Sequence, residues 1–193
     1  DRLLAGLGSE WLMLTMRMKP YACHSTSTAI VQGIQEFKKK NLIDPKMINR
    51  VVVASPRAVE GRYLILEPTS ILGWQYSIPF NVAVAFSRDM SNPLIYNEET
   101  LWDPVVRELS KKVEAREGDT AEVVIEVAGE RHIIKGSLPL PLNFDGTCEK
   151  FQRYIHTMVE KTRGDKMQEL VRDLDQLSDM AQLARLIKKF SGS

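Results

Sequence analysis

Residues 120–136, TAEVVIEVAGERHIIKG, alternate apolar and polar side chains on both sides of Ala128-Gly129. Period-two alternation belongs to an extended strand, so this segment predicts a β-hairpin with Gly129 at its turn. An all-helical fold is thereby excluded. A β-branched run, NRVVVA at 49–54, predicts another strand. Alternating large apolar residues in WLMLTMRM predict a strand over 11–18, and residues 112–116 add a short one.

Helical signals lie between these runs. After a loop from Lys19 to His24, Ser25 or Thr26 is placed to cap a helix. Ala29, Ile30, Ile34 and Phe37 share its apolar face, and Lys38-Lys39-Lys40 reads as its solvated end. Asp44-Pro45 starts a short helical turn, and Asp103-Pro104 opens a helix to residue 111. Pro93 and Asn97 mark a loop. Residues 76–88, YSIPFNVAVAFSR, predict one mostly buried helix. Residues 55–74, with Pro56, Gly61, Pro68 and Gly73, read as irregular. An irregular stretch of that length inside a compact domain is often functional or partner-facing.

The pattern changes after Pro141 to three amphipathic helices. The first places Phe151, Tyr154, Ile155, Met158 and Val159 on one face. The second places Met167, Leu170, Val171 and Leu174 together. The third, capped by Ser178, carries Met180, Leu183, Leu186 and Ile187. The fold class is α+β: a small sheet with helices over residues 1–141, then C-terminal helices over 142–193.

Composition removes several function classes. Lys plus Arg is 26 and Asp plus Glu is 25, so no basic excess supports general nucleic-acid or anionic-membrane binding. The two cysteines, Cys23 and Cys148, lie in neither a CxxC nor a zinc spacing, and three or four thiolates for an iron–sulfur cluster are lacking. His24, His132 and His156 form no HExxH or HxH, so no metal site is expected. No apolar run approaches the ~18 residues needed to cross a bilayer, and no signal-peptide pattern is recognised. Sparse cysteines suit a reducing cytoplasm. The start at Asp1, inside the apolar segment Leu3-Leu4-Ala5-Gly6-Leu7-Gly8, reads as the beginning of an excised piece.

Reactive residue types concentrate in one loop, Lys19-Pro20-Tyr21-Ala22-Cys23-His24. It leads into a helix N-terminus, whose unpaired N–H groups and positive dipole end favour anions. Lys19 adds a cation, Arg17 lies two residues earlier, and His24 is a side chain that titrates near neutral pH. Together they point to a carboxylate-rich substrate beside a proton donor or acceptor. The bland alternative is a surface lysine and a histidine that caps the helix. Trp11, Trp74 and Trp102 read as core or interface anchors, with Trp74 and Tyr76 also placed to face another polypeptide.

The run MKPYACHSTSTAIVQGIQEF resembles the MmgE/PrpD family, which includes 2-methylcitrate dehydratase, cis-aconitate decarboxylase and iminodisuccinate epimerase. YSIPFNVAVAF, the glycine-turn hairpin, CEKFQRYI and LSDMAQLARLI follow in the family's order, so the resemblance covers about residues 5–190. It implies a lid-type domain followed by closing helices, which would pack on a helical domain that this chain lacks. Lys19 and His24 match the lid-side active-site Lys and His, the lysine holding a substrate carboxylate and the histidine assisting proton transfer or departure of a hydroxyl. Arg17, Ser77 and Phe80 are further substrate-binding candidates, with Ser77 reading equally well as a helix cap. Phe80 stands where many members have an active-site Tyr, so a hydroxyl is lost there.

The expected parent reaction is an elimination on a small polycarboxylate, foremost a 2-methylcitrate-type dehydration, without a cofactor. Decarboxylation of cis-aconitate or an epimerisation would use similar groups. Homodimerisation is expected, because the closing helices carry apolar faces. Two competing classes are a non-catalytic α+β module for dimerisation or ligand binding, and a small subunit completed by another polypeptide.

Overall fold

The computed structural model describes residues 6–11, 16, 18–139 and 142–188. The chain divides into two compact units: Pro20–Leu140, and Asp1–Lys19 with Pro141–Ser193. The strand expected at 11–18 lies largely outside the described residues.

The unit Pro20–Leu140 contains a four-stranded mixed sheet, and the fold is α+β. Strand β1 (Ile48–Ser55) lies between β2 (Val113–Glu117), which runs parallel to it, and β3 (Glu122–Val127), which runs antiparallel; β4 (Glu130–Lys135) forms the far edge. The period-two pattern sets this register: Val51 lies opposite Val113 on one side and Ile125 on the other, and all three are buried. The β3–β4 hairpin turns through Ala128 and Gly129, at φ 51° and 83°. Two successive positive φ values match the twist of the flanking strands, which is why glycine serves there.

Helix α1 (Ser25–Lys38) buries Ile30, Val31 and Ile34. At Gly33 a Cβ would lie 2.5 Å from the Lys135 carbonyl oxygen, so the helix reaches the sheet edge only because no side chain intervenes. The lysine run is not simply a solvated end. Lys38 Nζ donates to the carbonyl oxygens of Ala85 (2.8 Å) and Arg88 (3.0 Å), and burial pushes its pKa down, while Lys39 and Lys40 are exposed.

The helix expected over 76–88 is α3 (Ile78–Ser87), which begins two residues later than expected because Tyr76 closes a separate short helix, α2 (Ile71–Tyr76). Pro79 has no N–H to continue a helix, and Ser77 begins the new one by accepting from Phe80 N (2.9 Å). Helix α3 packs against both α1 and α5 (Pro104–Lys111), and its residues from Ile78 to Phe86 are all buried. The stretch read as irregular ends earlier than expected, since α2 occupies its last part, and Gly61–Tyr63 form a 3-10 turn within it. Asn97, read as loop, caps the short α4 (Glu98–Leu101) through Thr100 N.

The second unit contains α6 (Phe144–Ile155), α7 (Lys161–Arg172) and α8 (Ala181–Lys188), the three helices expected from the apolar spacing. The cap of α8 differs from expectation. Asp179, not Ser178, accepts from Ala181 N (2.8 Å) and also meets Arg185.

Candidate functional site

His24 itself is the N-cap of α1, in place of Ser25 or Thr26. Its extended backbone (φ −62°, ψ 150°) turns the ring back over the helix start. Nδ1 accepts from Thr26 N at 3.3 Å and lies 3.0 Å from Thr26 Oγ1. An Nδ1 that accepts carries no proton, so the neutral tautomer that fits this cap has its proton on Nε2. The cap thus fixes both the direction of the ring and which nitrogen offers a proton.

The backbone anchors the residue as well. His24 N donates to Gln75 O at 2.8 Å, joining the start of α1 to the end of α2. The same carbonyl accepts from Asn81 Nδ2 at 3.1 Å. Asn81 is fully buried and also donates to Ser77 O (2.6 Å) and Trp74 O (3.2 Å), tying together the carbonyls at the junction of α2 and α3. It is the one amide-bearing residue in the apolar run IPFNVAVAF, and that was the available signal for it.

Two tyrosines flank the His24 ring, Tyr63 at 4.9 Å and Tyr76 at 4.8 Å between centroids, both tilted. Tyr63 is buried and Tyr76 half-exposed, so the ring has one side toward the core and one toward solvent. Arg57 and Arg62 lie over the Tyr63 ring, their Cζ atoms 5.7 and 5.0 Å from its centroid. Glu60 gathers both guanidiniums, accepting from Arg57 Nε and Nη2 and from Arg62 Nε at 2.9 Å. The Arg57 guanidinium, then that of Arg62, holds the Glu60 carboxyl down at about 2. Tyr63, Arg57 and Arg62 were not singled out from sequence; the long stretch between β1 and α2 was their signal.

The other expected site residues divide sharply. Ser77 and Phe80 are fully buried. The Ser77 hydroxyl caps α3 and donates to Ile65 O, and the Phe80 ring packs edge-on against Trp74. Trp74 is a core residue stacked on Tyr96 at 4.7 Å, not a surface for another polypeptide. Lys19 is exposed and belongs to the other unit, at the end of its first segment, where its carbonyl accepts from Lys150 Nζ. Arg17 lies outside the described residues. Cys23 is buried beside His24 in sequence. Among the described residues no group of three or more His, Cys, Asp or Glu is placed to hold a metal ion. Among them, too, no helix is long and apolar enough to cross a membrane.

No family model matches the chain. It is similar to cis-aconitate decarboxylase of Aspergillus terreus, with 24% identity over 216 aligned residues covering 97% of this chain and 43% of the relative. The protein of the same name from Aspergillus terreus strain NIH 2624 / FGSC A1156 is 23% identical over 218 residues, with the same coverage. The chain therefore spans less than half the length of the curated relatives it matches.

Proposed function

We propose that this chain is the C-terminal, lid-type part of an MmgE/PrpD-like lyase acting on a small polycarboxylate. The observation that carries this reading is the similarity, over 97% of the chain, to proteins named cis-aconitate decarboxylase. The His24 geometry supports it. A ring held at Nδ1 by its own helix cap keeps its proton on Nε2 in the neutral form, the form a proton donor of this kind takes.

In a decarboxylation, carbon dioxide leaves and the electron pair left on carbon takes up a proton. In a dehydration, a base removes a proton beside a carboxylate and an acid protonates the departing hydroxyl. His24 fills the donor role in either. The relatives' names favour cis-aconitate as the first substrate to try, with 2-methylcitrate dehydration as the sister reaction. Lys19 is assigned to a substrate carboxylate on its match in sequence alone. A homodimer belongs to the same reading, and a clean monomer in light scattering over a wide concentration range would remove it.

The experiment is a proton NMR time course in deuterated buffer with cis-aconitate, 2-methylcitrate and citrate in separate runs. Turnover or deuterium uptake that disappears in Lys19→Ala and His24→Ala supports the reading. Binding of a tricarboxylate with no turnover would favour the non-catalytic module, to which the core-buried Phe80 also points.

A further inference from the structure

We infer that Arg57 and Arg62, gathered by Glu60 beside Tyr63, form a carboxylate-recognition element of the His24 site, with Glu60 as its built-in competitor. The inference rests on the polycarboxylate reading above and adds the residues that select the substrate's charge.

Four observations converge. Arg57 is one of two non-glycine residues at positive φ among the described residues, at 66°, a sparsely populated conformation that recurs where structure serves function. The other, Ala128, is explained by the hairpin turn. Two guanidiniums face one carboxylate, so the cluster keeps an excess positive charge. Each guanidinium spends Nε and Nη2 on Glu60, and among the described residues neither Nη1 is engaged. Half or more of each arginine side chain is exposed, at 52% and 60%.

The place of the cluster is what ties it to the reaction. Tyr63 is common to both: the guanidiniums lie 5.7 and 5.0 Å from its ring centroid and the His24 ring 4.9 Å from it. An arginine fork accepts a carboxylate in a planar, two-bond contact. A ligand with a single carboxylate can satisfy either the arginines or a reacting centre at His24. A ligand with two or three can satisfy both. The Glu60 carboxylate already occupies one guanidinium edge on each arginine, so an incoming carboxylate either takes the Nη1 edges or displaces it.

The test uses the purified protein and cis-aconitate, with acetate as the monocarboxylate control. Arg62→Gln and Arg57→Gln are each expected to raise KM for cis-aconitate about tenfold or more, the loss typical of one charge-assisted hydrogen bond, with kcat nearly unchanged. Glu60→Gln is expected to lower KM. Arg62→Lys keeps the charge without the fork and is expected to fall between. Circular dichroism melts verify folding, and if either Gln variant fails to fold, Glu60→Gln and Arg62→Lys decide. Unchanged KM in folded arginine variants, or a raised KM in Glu60→Gln, overturns the inference. If His24→Asn still abolishes turnover in that case, the lyase reading stands without it. A wild-type protein that neither binds nor converts cis-aconitate or 2-methylcitrate overturns the inference and turnover by this chain alone, and leaves a lid whose chemistry depends on residues it does not contain.

Discussion

In the unit Pro20–Leu140 every residue of α3 from Ile78 to Phe86 is buried, whereas α8 in the other unit buries none of its residues and α6 only Ile155. Both regions were legible from apolar residues, yet they use them differently. The first surrounds its helix with α1, α5 and the sheet. The second has one-sided helices, and in or beside them Phe144, Met158, Met180 and Ile187 are half or more exposed. Stabilisation by burial scales with the apolar area removed from water, so the first unit holds most of it. The comparison teaches that a clear helical stripe shows which face seeks a partner, not whether the face is covered.

The largest expected effect tests that difference directly. Trp74→Ala removes a fully buried ring packed on Phe80 and Tyr96 and is expected to destabilise by about 3–5 kcal/mol. Met180→Ala, at a side chain 55% exposed, is expected to shift stability by no more than about 0.5 kcal/mol. Denaturant unfolding of both variants measures the contrast, and equal losses would erase it. Next in size is Asn81→Ala. It removes the buried side-chain amide's bonds to the carbonyls of Trp74, Gln75 and Ser77, each of which keeps a backbone donor, a loss of about 1–3 kcal/mol by the same unfolding experiment.

A smaller effect separates the cap at His24 from its chemistry. His24→Ala should cost about 1 kcal/mol as a lost helix cap, while His24→Asn should stay near wild type because asparagine caps as well. The smallest effect concerns acid. The Glu60 pKa is lowered in the folded chain from an ordinary 4.5 to about 2. Its contribution to stability is therefore complete above about pH 4.5 and is lost as pH falls toward 2. Over that window the melting temperature of wild type should fall more steeply than that of Glu60→Gln. Parallel curves would show that the ion pairs do not persist in solution.

The hairpin, β1, β2 and the three closing helices were readable because side-chain periodicity is local. Ser77 was legible as a helix cap, as the structure has it, but the short α2 just before it was not, because it lies in a stretch rich in Pro and Gly. The positive φ at Arg57 has no glycine or asparagine to mark it. The pairing of His24 with Tyr63 and Tyr76 joins residues far apart in sequence, which no local pattern reveals. His24 itself was legible both as a candidate donor and as a helix cap, and the cap is the role that the structure shows.

The account's central claim is that His24 delivers a proton in a polycarboxylate lyase. The most direct measurement is the rate of cis-aconitate and 2-methylcitrate conversion, followed by NMR, in wild type and His24→Asn at matched melting temperature. The account predicts a loss of about 100-fold or more in the variant, the usual contribution of a positioned acid or base. Turnover at the wild-type rate in a folded His24→Asn protein would contradict it.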